Sequence, residues 1–350
     1  MKFKIIKNLS RENTGYSSRK KFLRLDKNER VSNFHNKILR KIKISSFDIT
    51  AYPETWPVYQ SIAKNYKIST KNIVLIPGSE FGYRICLEYF KNKNKKIISL
   101  APTFGMVEVY TKLFAIKNIG INYDKNFELD SNRLLKSISS KISLVIIANP
   151  NSPTGTIIKK EKIIQILNKA KKYNITVIID EAYNGFYKPT FLDYVEKYKN
   201  LIVLRTFSKS FGLAGLRVGF LAGNKKLIKE INKYKPMYEV NSVACKVITY
   251  FLKNKKFYLD YITETNKGKK YFENELKKLK IRYLKTYANF IHIDLRKYKS
   301  KIEKDLKKNK ILTRKGPGVK NFENFLRVTL GPIDSMKKVI KVLKKYEGKF

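Results

Sequence analysis

The sequence predicts an α/β fold on a mostly parallel sheet, three layers deep, with a smaller α+β unit attached. Three observations carry this expectation. First, five short apolar runs recur along the chain: Ile73-Val74-Leu75-Ile76, Ile97-Ile98-Ser99-Leu100, Leu144 to Ala148, Ile175 to Ile179 and Leu201 to Leu204. Each is continuous and rich in β-branched residues, which suits strands covered on both faces, as in a parallel sheet between helices. Second, helical patterns separate the runs. After Thr156, Ile163, Ile166, Leu167 and Ala170 fall on one helical face, the mark of a crossover helix. Third, the texture changes near Phe257. A Lys/Glu-rich helical stretch runs to about Lys280, followed by a strand over Phe290–Leu295, a helix over Lys301–Lys308 and a strand over Phe325–Leu330. An amphipathic helix carrying Val339, Val342, Leu343 and Tyr346 on one side closes the chain. The expected division is a large unit over 41–252 and a small one formed by 1–40 and 253–350.

Composition bounds the function. In 350 residues, 43% hydrophobic and 13% aromatic side chains exclude a disordered chain. The longest apolar runs fall far short of the roughly 18 residues of a membrane span, and the N-terminus has no apolar signal core, so the cytoplasm is the expected compartment. Two cysteines, Cys86 and Cys245, and two histidines, His35 and His292, make neither a disulfide framework nor a metal site. The net charge of +47 comes from 62 Lys against 13 Arg. Nucleic-acid readers favour arginine, and these lysines are spread over the polar sides of amphipathic segments. The charge therefore reads as a solvated basic surface that draws small anions, and neither nucleic acid nor membrane is an expected partner.

Ligands in open α/β sheets bind at the carboxyl ends of the strands, and each run here ends on polar groups. The first leads into Pro77-Gly78-Ser79-Glu80 and a helix, where glycine and free N–H groups favour an anion. The third leads into Asn149-Pro150-Asn151-Ser152-Pro153-Thr154-Gly155, a loop stiffened by two prolines. The fourth ends at Asp180-Glu181-Ala182-Tyr183, where a carboxylate after five apolar residues needs a cationic partner or serves as a helix cap. The fifth leads into Arg205 to Gly219, which contains Ser208, Lys209 and Arg217. A desolvated lysine near other cations has a lowered pKa and can act as a nucleophile.

Taken in order, these segments resemble the fold-type I pyridoxal-phosphate enzymes of the aspartate aminotransferase superfamily, nearest to the histidinol-phosphate aminotransferase branch. The resemblance rests on Tyr16-Ser17-Ser18-Arg19, Leu25-Asp26-Lys27-Asn28-Glu29, Tyr52-Pro53-Glu54, Gly78-Ser79-Glu80, Pro102 to Met106, the 149–155 loop, Asp180 to Tyr183, Ser208 to Gly219 and Arg327 to Gly331. It implies that Lys209 bonds covalently to pyridoxal 5′-phosphate, Asp180 pairs with the ring nitrogen, Tyr183 bonds the ring's phenolate oxygen and Phe104 stacks on the ring. It implies that Gly78, Ser79, Glu80, Ser208 and Arg217 hold the cofactor phosphate, joined by Tyr52 from the other subunit of a homodimer. Arg327 would clamp a substrate carboxylate, with Arg314, Tyr16 and Asn28 at the substrate. Two departures stand out: Ser152 occupies a position where the family commonly has Asn, leaving open whether Ser152 or Asn151 meets the cofactor, and Phe81 occupies a usually acidic one.

The implied reaction is transamination of a small phosphorylated amino compound, with an oxo acid such as 2-oxoglutarate as acceptor. The alternative on the same scaffold is decarboxylation of a phosphorylated amino acid of the threonine- or serine-phosphate type. Which bond breaks depends on how the substrate is rotated against the ring, and the sequence does not fix that rotation.

Overall fold

The computed structural model describes residues 19–91, 95–124 and 127–350; Tyr16 lies outside them. In chain order the strands are β1 Leu23–Arg24, β2 Ile73–Ile76, β3 Lys96–Ala101, β4 Asn118–Asn122, β5 Ile142–Ala148, β6 Thr176–Asp180, β7 Leu201–Thr206, β8 Gly219–Gly223, β9 Tyr283–Leu284, β10 Phe290–Asp294, β11 Ile311–Leu312, β12 Arg314–Lys315 and β13 Phe325–Thr329. Seven of them form one sheet in the order β2-β8-β7-β6-β5-β3-β4. All neighbours in it run parallel except β8, which is antiparallel to both β2 and β7. All five predicted runs are strands of this sheet. β5 and β6 are buried along their whole length, as continuous apolar sequence requires of strands covered on both faces.

Two strands of this sheet escaped the sequence reading. β8 has the sequence Gly-Phe-Leu-Ala-Gly, too short and too glycine-rich to stand out. The glycine is sterically required: a Cβ on Gly219 would lie 2.5 Å from the Arg205 carbonyl oxygen and 3.0 Å from the Ser79 nitrogen. β4 is an edge strand, Asn-Ile-Gly-Ile-Asn, with exposed ends and only Ile121 fully buried, so it lacks the continuous apolar run of the central strands. The helix Lys160–Lys172 buries Ile163, Ile166, Leu167 and Ala170, the face its periodicity indicates.

A second sheet, β12-β13-β10-β9, is antiparallel throughout. Its core gathers Phe272, Ile291, Ile302, Leu326, Val339 and Leu343 with Leu25 and Val31 from the start of the chain. β1 pairs with β11, which ties that N-terminal stretch to the same unit. Ile42 onward packs instead into the core of the large sheet, with Val58, Ile62 and the helix Ser242–Lys253. Among the described residues no helix is long and apolar enough to cross a membrane.

Candidate active site

The carboxyl ends of β2, β5, β6 and β7 open toward the second sheet, and the polar groups that the sequence singled out meet there. After β2 the chain turns at Gly78 into the helix Ser79–Lys91. Gly78 has φ +81°, and a Cβ on it would sit 2.9 Å from Arg217 Nη2. Only glycine permits both the backbone angle and the guanidinium's approach. Arg217, itself left-handed at φ 53°, donates through Nη1 to Ser208 Oγ and to the Ala214 carbonyl, each at 3.4 Å. The N-terminal turn of a 13-residue helix, Ser208 and Arg217 thus surround one spot with donors and positive charge, a cup for a phosphate. Glu80 lies in the same turn, but its carboxylate accepts from the Tyr110 hydroxyl at 3.3 Å. A carboxylate repels phosphate, so Glu80 serves such a cup only through its backbone N–H.

Asp180 ends β6, buried to 5% exposure. Its Oδ1 accepts the Ala182 N–H at 2.8 Å and its Oδ2 accepts the Tyr83 hydroxyl at 2.7 Å. Burial raises its pKa to about 6, against the pull of these two donors. Among the described residues Asp180 forms no ion pair; the positive charge of Lys209 acts on it from a distance, and the bond to Ala182 N–H is the capping contact that the sequence also allowed. The turn after Asp180 is pinned from below. Arg205 and Glu181 form a buried ion pair at 2.8 Å, and Arg205 also donates to Asn184 Oδ1 and Thr190 Oγ1. That network holds the segment that presents Tyr183, whose hydroxyl accepts from Asn28 Nδ2 at 2.9 Å and also bonds Ser152. Asn151 turns inward, its amide bonded to Thr103, Pro102, Thr154 and Tyr123. The loop therefore consumes Asn151, and Ser152 faces the site.

Lys209 stands 5.9 Å from the Tyr183 ring centroid and donates from Nζ to the Lys27 carbonyl at 3.0 Å. Burial, aided by Arg327 and Arg217, lowers its pKa to about 7, so near neutrality much of it is a free amine. Arg327 Nη2 donates to the Asp26 carbonyl at 2.7 Å, and its guanidinium lies over the Phe290 ring. One stretch, Asp26-Lys27-Asn28, thus touches Arg327, Lys209 and Tyr183 in turn. Arg19 clips that stretch through Asp26 at 2.5 Å and Glu29 at 2.6 Å. Phe104, half-buried, leans on Tyr83 with ring centroids 5.8 Å apart.

Arg314 on β12 is in register with Arg327 on β13, and Arg327 with His292 on β10. Registered side chains share a sheet face, so two guanidiniums and an imidazole line one wall. His292 is held neutral: burial lowers its pKa to about 3, and Nε2 bonds the Pro153 carbonyl at 2.6 Å. Tyr52 is 76% exposed and stacks on Tyr238, centroids 4.5 Å apart, away from the other residues of the set. The sequence reading missed Tyr83, His292, Lys27 and the Arg205–Glu181 pair. Tyr83 had one available signal, since it lies four residues after Ser79 and so on the same helical face.

These groups fit a phosphorylated, cationic-ring aldehyde: a phosphate cup around Gly78, a low-pKa amine on Lys209 and a buried carboxylate lacking a cation. The sequence agrees with that chemistry across most of its length. The family Aminotransferase class I and II matches residues 55–343.

The chain belongs to this family.

A histidinol-phosphate aminotransferase of Clostridium novyi (strain NT) is 36% identical over 328 residues, 92% of this chain and 91% of its own. Among solved structures, a histidinol-phosphate aminotransferase from Sinorhizobium meliloti in complex with pyridoxal-5′-phosphate superposes with TM-score 0.85 at 18% identity, covering 97% of each chain. An L-threonine-O-3-phosphate decarboxylase from Porphyromonas gingivalis superposes with TM-score 0.79 at 18% identity, over 93% of this chain and 99% of its own. The fold is that of the fold-type I, aspartate aminotransferase-like enzymes, and the protein is a pyridoxal-phosphate-dependent aminotransferase.

Proposed function

We propose that this aminotransferase moves the amino group of a phosphorylated amine of the histidinol-phosphate type to an oxo acid such as 2-oxoglutarate. The observation that carries the substrate class is the registered pair Arg314–Arg327. Two guanidiniums on one sheet face can take an anionic substrate through charge-assisted bonds. The Clostridium novyi relative, similar from end to end, supports the aminotransferase reading. The decarboxylase neighbour shares the fold alone at 18% identity.

Bound pyridoxal phosphate supplies an electrophilic carbon for the amine and a ring that accepts electrons. The chain's own groups do the rest. The cup of Gly78, Ser79, Ser208 and Arg217, with the backbone of Glu80, holds the cofactor phosphate. Asp180 keeps a proton at the ring nitrogen. Tyr183, backed by Asn28 and Ser152, donates to the ring oxygen, and Phe104 covers the ring face. Lys209 is the covalent anchor. When displaced, its amine takes the proton from the carbon bearing the substrate nitrogen, a task suited to a base with pKa about 7. Arg327 binds the carboxylate of the oxo acid, and Arg314 with Tyr16 reads the distal phosphate.

The large unit over 41–252 carries the cofactor, and 1–40 with 253–350 forms the unit that brings Asn28, Arg314 and Arg327 to it. The active assembly is a homodimer. Phe47, Ile49, Tyr52, Trp56, Met237 and Tyr238 are all more than half exposed, and apolar surface of this extent marks an interface. Tyr52 crosses that interface to the partner's cofactor phosphate. A screen of amino donors on purified holoenzyme tests the reaction. Oxo product or aldehyde formed without carbon dioxide supports it, whereas stoichiometric carbon dioxide from a phosphorylated amino acid would replace it with the decarboxylase.

A further inference from the structure

Asp180 is a buried charged group of the site, and its surroundings hold a residue that none of the roles above uses. Tyr83 is fully buried. It lies one helical turn after Ser79 on the helix Ser79–Lys91, so the helix whose first turn builds the phosphate cup also reaches the far end of the site. Its hydroxyl donates to Asp180 Oδ2 at 2.7 Å. The approach depends on the preceding residue. A Cβ on Gly82 would lie 2.8 Å from Leu204 Cδ2, 3.0 Å from Ile76 Cδ1 and 3.2 Å from Leu221 Cδ2. The missing side chain lets the helix settle onto β2, β7 and β8, which brings the phenol within bonding distance of the end of β6. Phe104 packs on the Tyr83 ring from the other side and fixes its tilt.

We infer that Tyr83 is a positioning residue for the ring-nitrogen carboxylate: its hydroxyl fixes the Asp180 rotamer and favours the ionised form that a cationic ring nitrogen needs. With Ala182 N–H on Oδ1 and Tyr83 O–H on Oδ2, each oxygen has one donor and keeps a lone pair for the ring. Burial pushes the Tyr83 phenol well above its ordinary pKa, and the neighbouring Asp180 charge adds to this, so Tyr83 stays a donor throughout the working pH range. The site thus contains a neutral donor beside the carboxylate, where a second cation would compete with the ring. The inference rests on Asp180 being the partner of the ring nitrogen.

The test uses apoenzyme titrated with pyridoxal phosphate and, separately, with its carbocyclic analogue in which C–H replaces the ring nitrogen. Wild type should bind pyridoxal phosphate more tightly than the analogue. Tyr83→Phe should weaken pyridoxal phosphate about tenfold, the scale of a hydrogen bond to a charged group, and leave the analogue unchanged. If Tyr83→Phe does not fold, 3-fluorotyrosine at position 83 keeps the shape and strengthens the donor; it should tighten pyridoxal phosphate by about twofold with no change for the analogue. Equal effects on both ligands, or none on either, would reduce Tyr83 to packing and overturn the inference. A wild-type enzyme that binds both ligands equally would instead overturn the role of Asp180, and this inference with it.

Discussion

The floor of the site and its wall are built on opposite principles. On the floor, at the ends of β6 and β7, each charge is met by a partner fixed in the fold: Asp180 by Tyr83 and Ala182 N–H, Glu181 by Arg205. On the wall, at β12 and β13, two arginines lie in register, and Arg327 rests on the backbone carbonyl of Asp26. In the proposed function the floor serves one unvarying ligand, the cofactor. The wall presents two guanidiniums on one face, an arrangement suited to an anion. The difference teaches where to place each function: changes on the floor should alter cofactor chemistry, and changes on the wall should alter substrate choice.

The sharpest way to break this division is at Lys209. Lys209→Ala should abolish turnover while pyridoxal phosphate still binds non-covalently, and borohydride should fix the cofactor of the wild type to Lys209. Peptide mapping that finds the label on another lysine would reject the assignment. Next in size is Asp180→Asn. The fold should hold, because the amide oxygen can take the Ala182 N–H while the amide NH2 donates to the Tyr83 hydroxyl. Loss of the ring-nitrogen partner should raise the barrier by roughly 4 kcal/mol or more, a thousandfold loss of kcat; near-normal turnover would show that another group protonates the ring. A mixing experiment asks whether one chain completes the floor. Tyr52→Phe and Lys209→Ala subunits, each impaired, should regain part of the wild-type activity when combined, through heterodimers with one intact site. Full activity from a strictly monomeric preparation would contradict the shared site.

The smallest effect concerns pH. The folded-state pKa of Lys209 is lowered to about 7 from an ordinary 10.5. Between those values the unfolded chain binds the extra proton, so this group makes apoprotein stability rise with pH across the window and then level off. Below about pH 7 both states are protonated and the full cost of the buried ammonium remains. Lys209→Met should therefore raise the apoprotein Tm more at pH 6 than at pH 10, with the gap narrowing by about 5 °C. A constant difference at both pH values would mean that the amine is not desolvated.

The floor was largely legible in the sequence because its residues sit in contiguous runs at strand ends. Continuous apolar strands pointed to the sheet, and the polar residue after each run pointed into the site. Asp180, Tyr183, Ser208, Lys209 and Arg217 could be read this way. What could not be read depends on distance along the chain or on backbone. The Asn28–Tyr183 bond joins residues 155 apart, and the acceptor for Lys209 is a carbonyl, which no side chain encodes. Tyr83 looks like one more core aromatic in its helix, and only the sheet beneath it reveals the carboxylate. The inward bonds of Asn151 could not be read either, since Thr103 and Tyr123, which engage it, come from other segments. The pairing of Arg314 with Arg327 needed the register of β12 on β13; the twelve intervening residues leave many registers open.

The division between floor and wall is tested most directly by one comparison on Arg314→Ala. For wild type and variant, kcat/KM is measured with a phosphorylated amine and with its dephosphorylated analogue, alongside the dissociation constant for pyridoxal phosphate. The account predicts a strong wild-type preference for the phosphorylated donor that collapses in the variant by about 2–3 kcal/mol, with cofactor affinity unchanged. Equal use of both donors by the wild type would contradict it, leaving a general aminotransferase whose second arginine does not read phosphate.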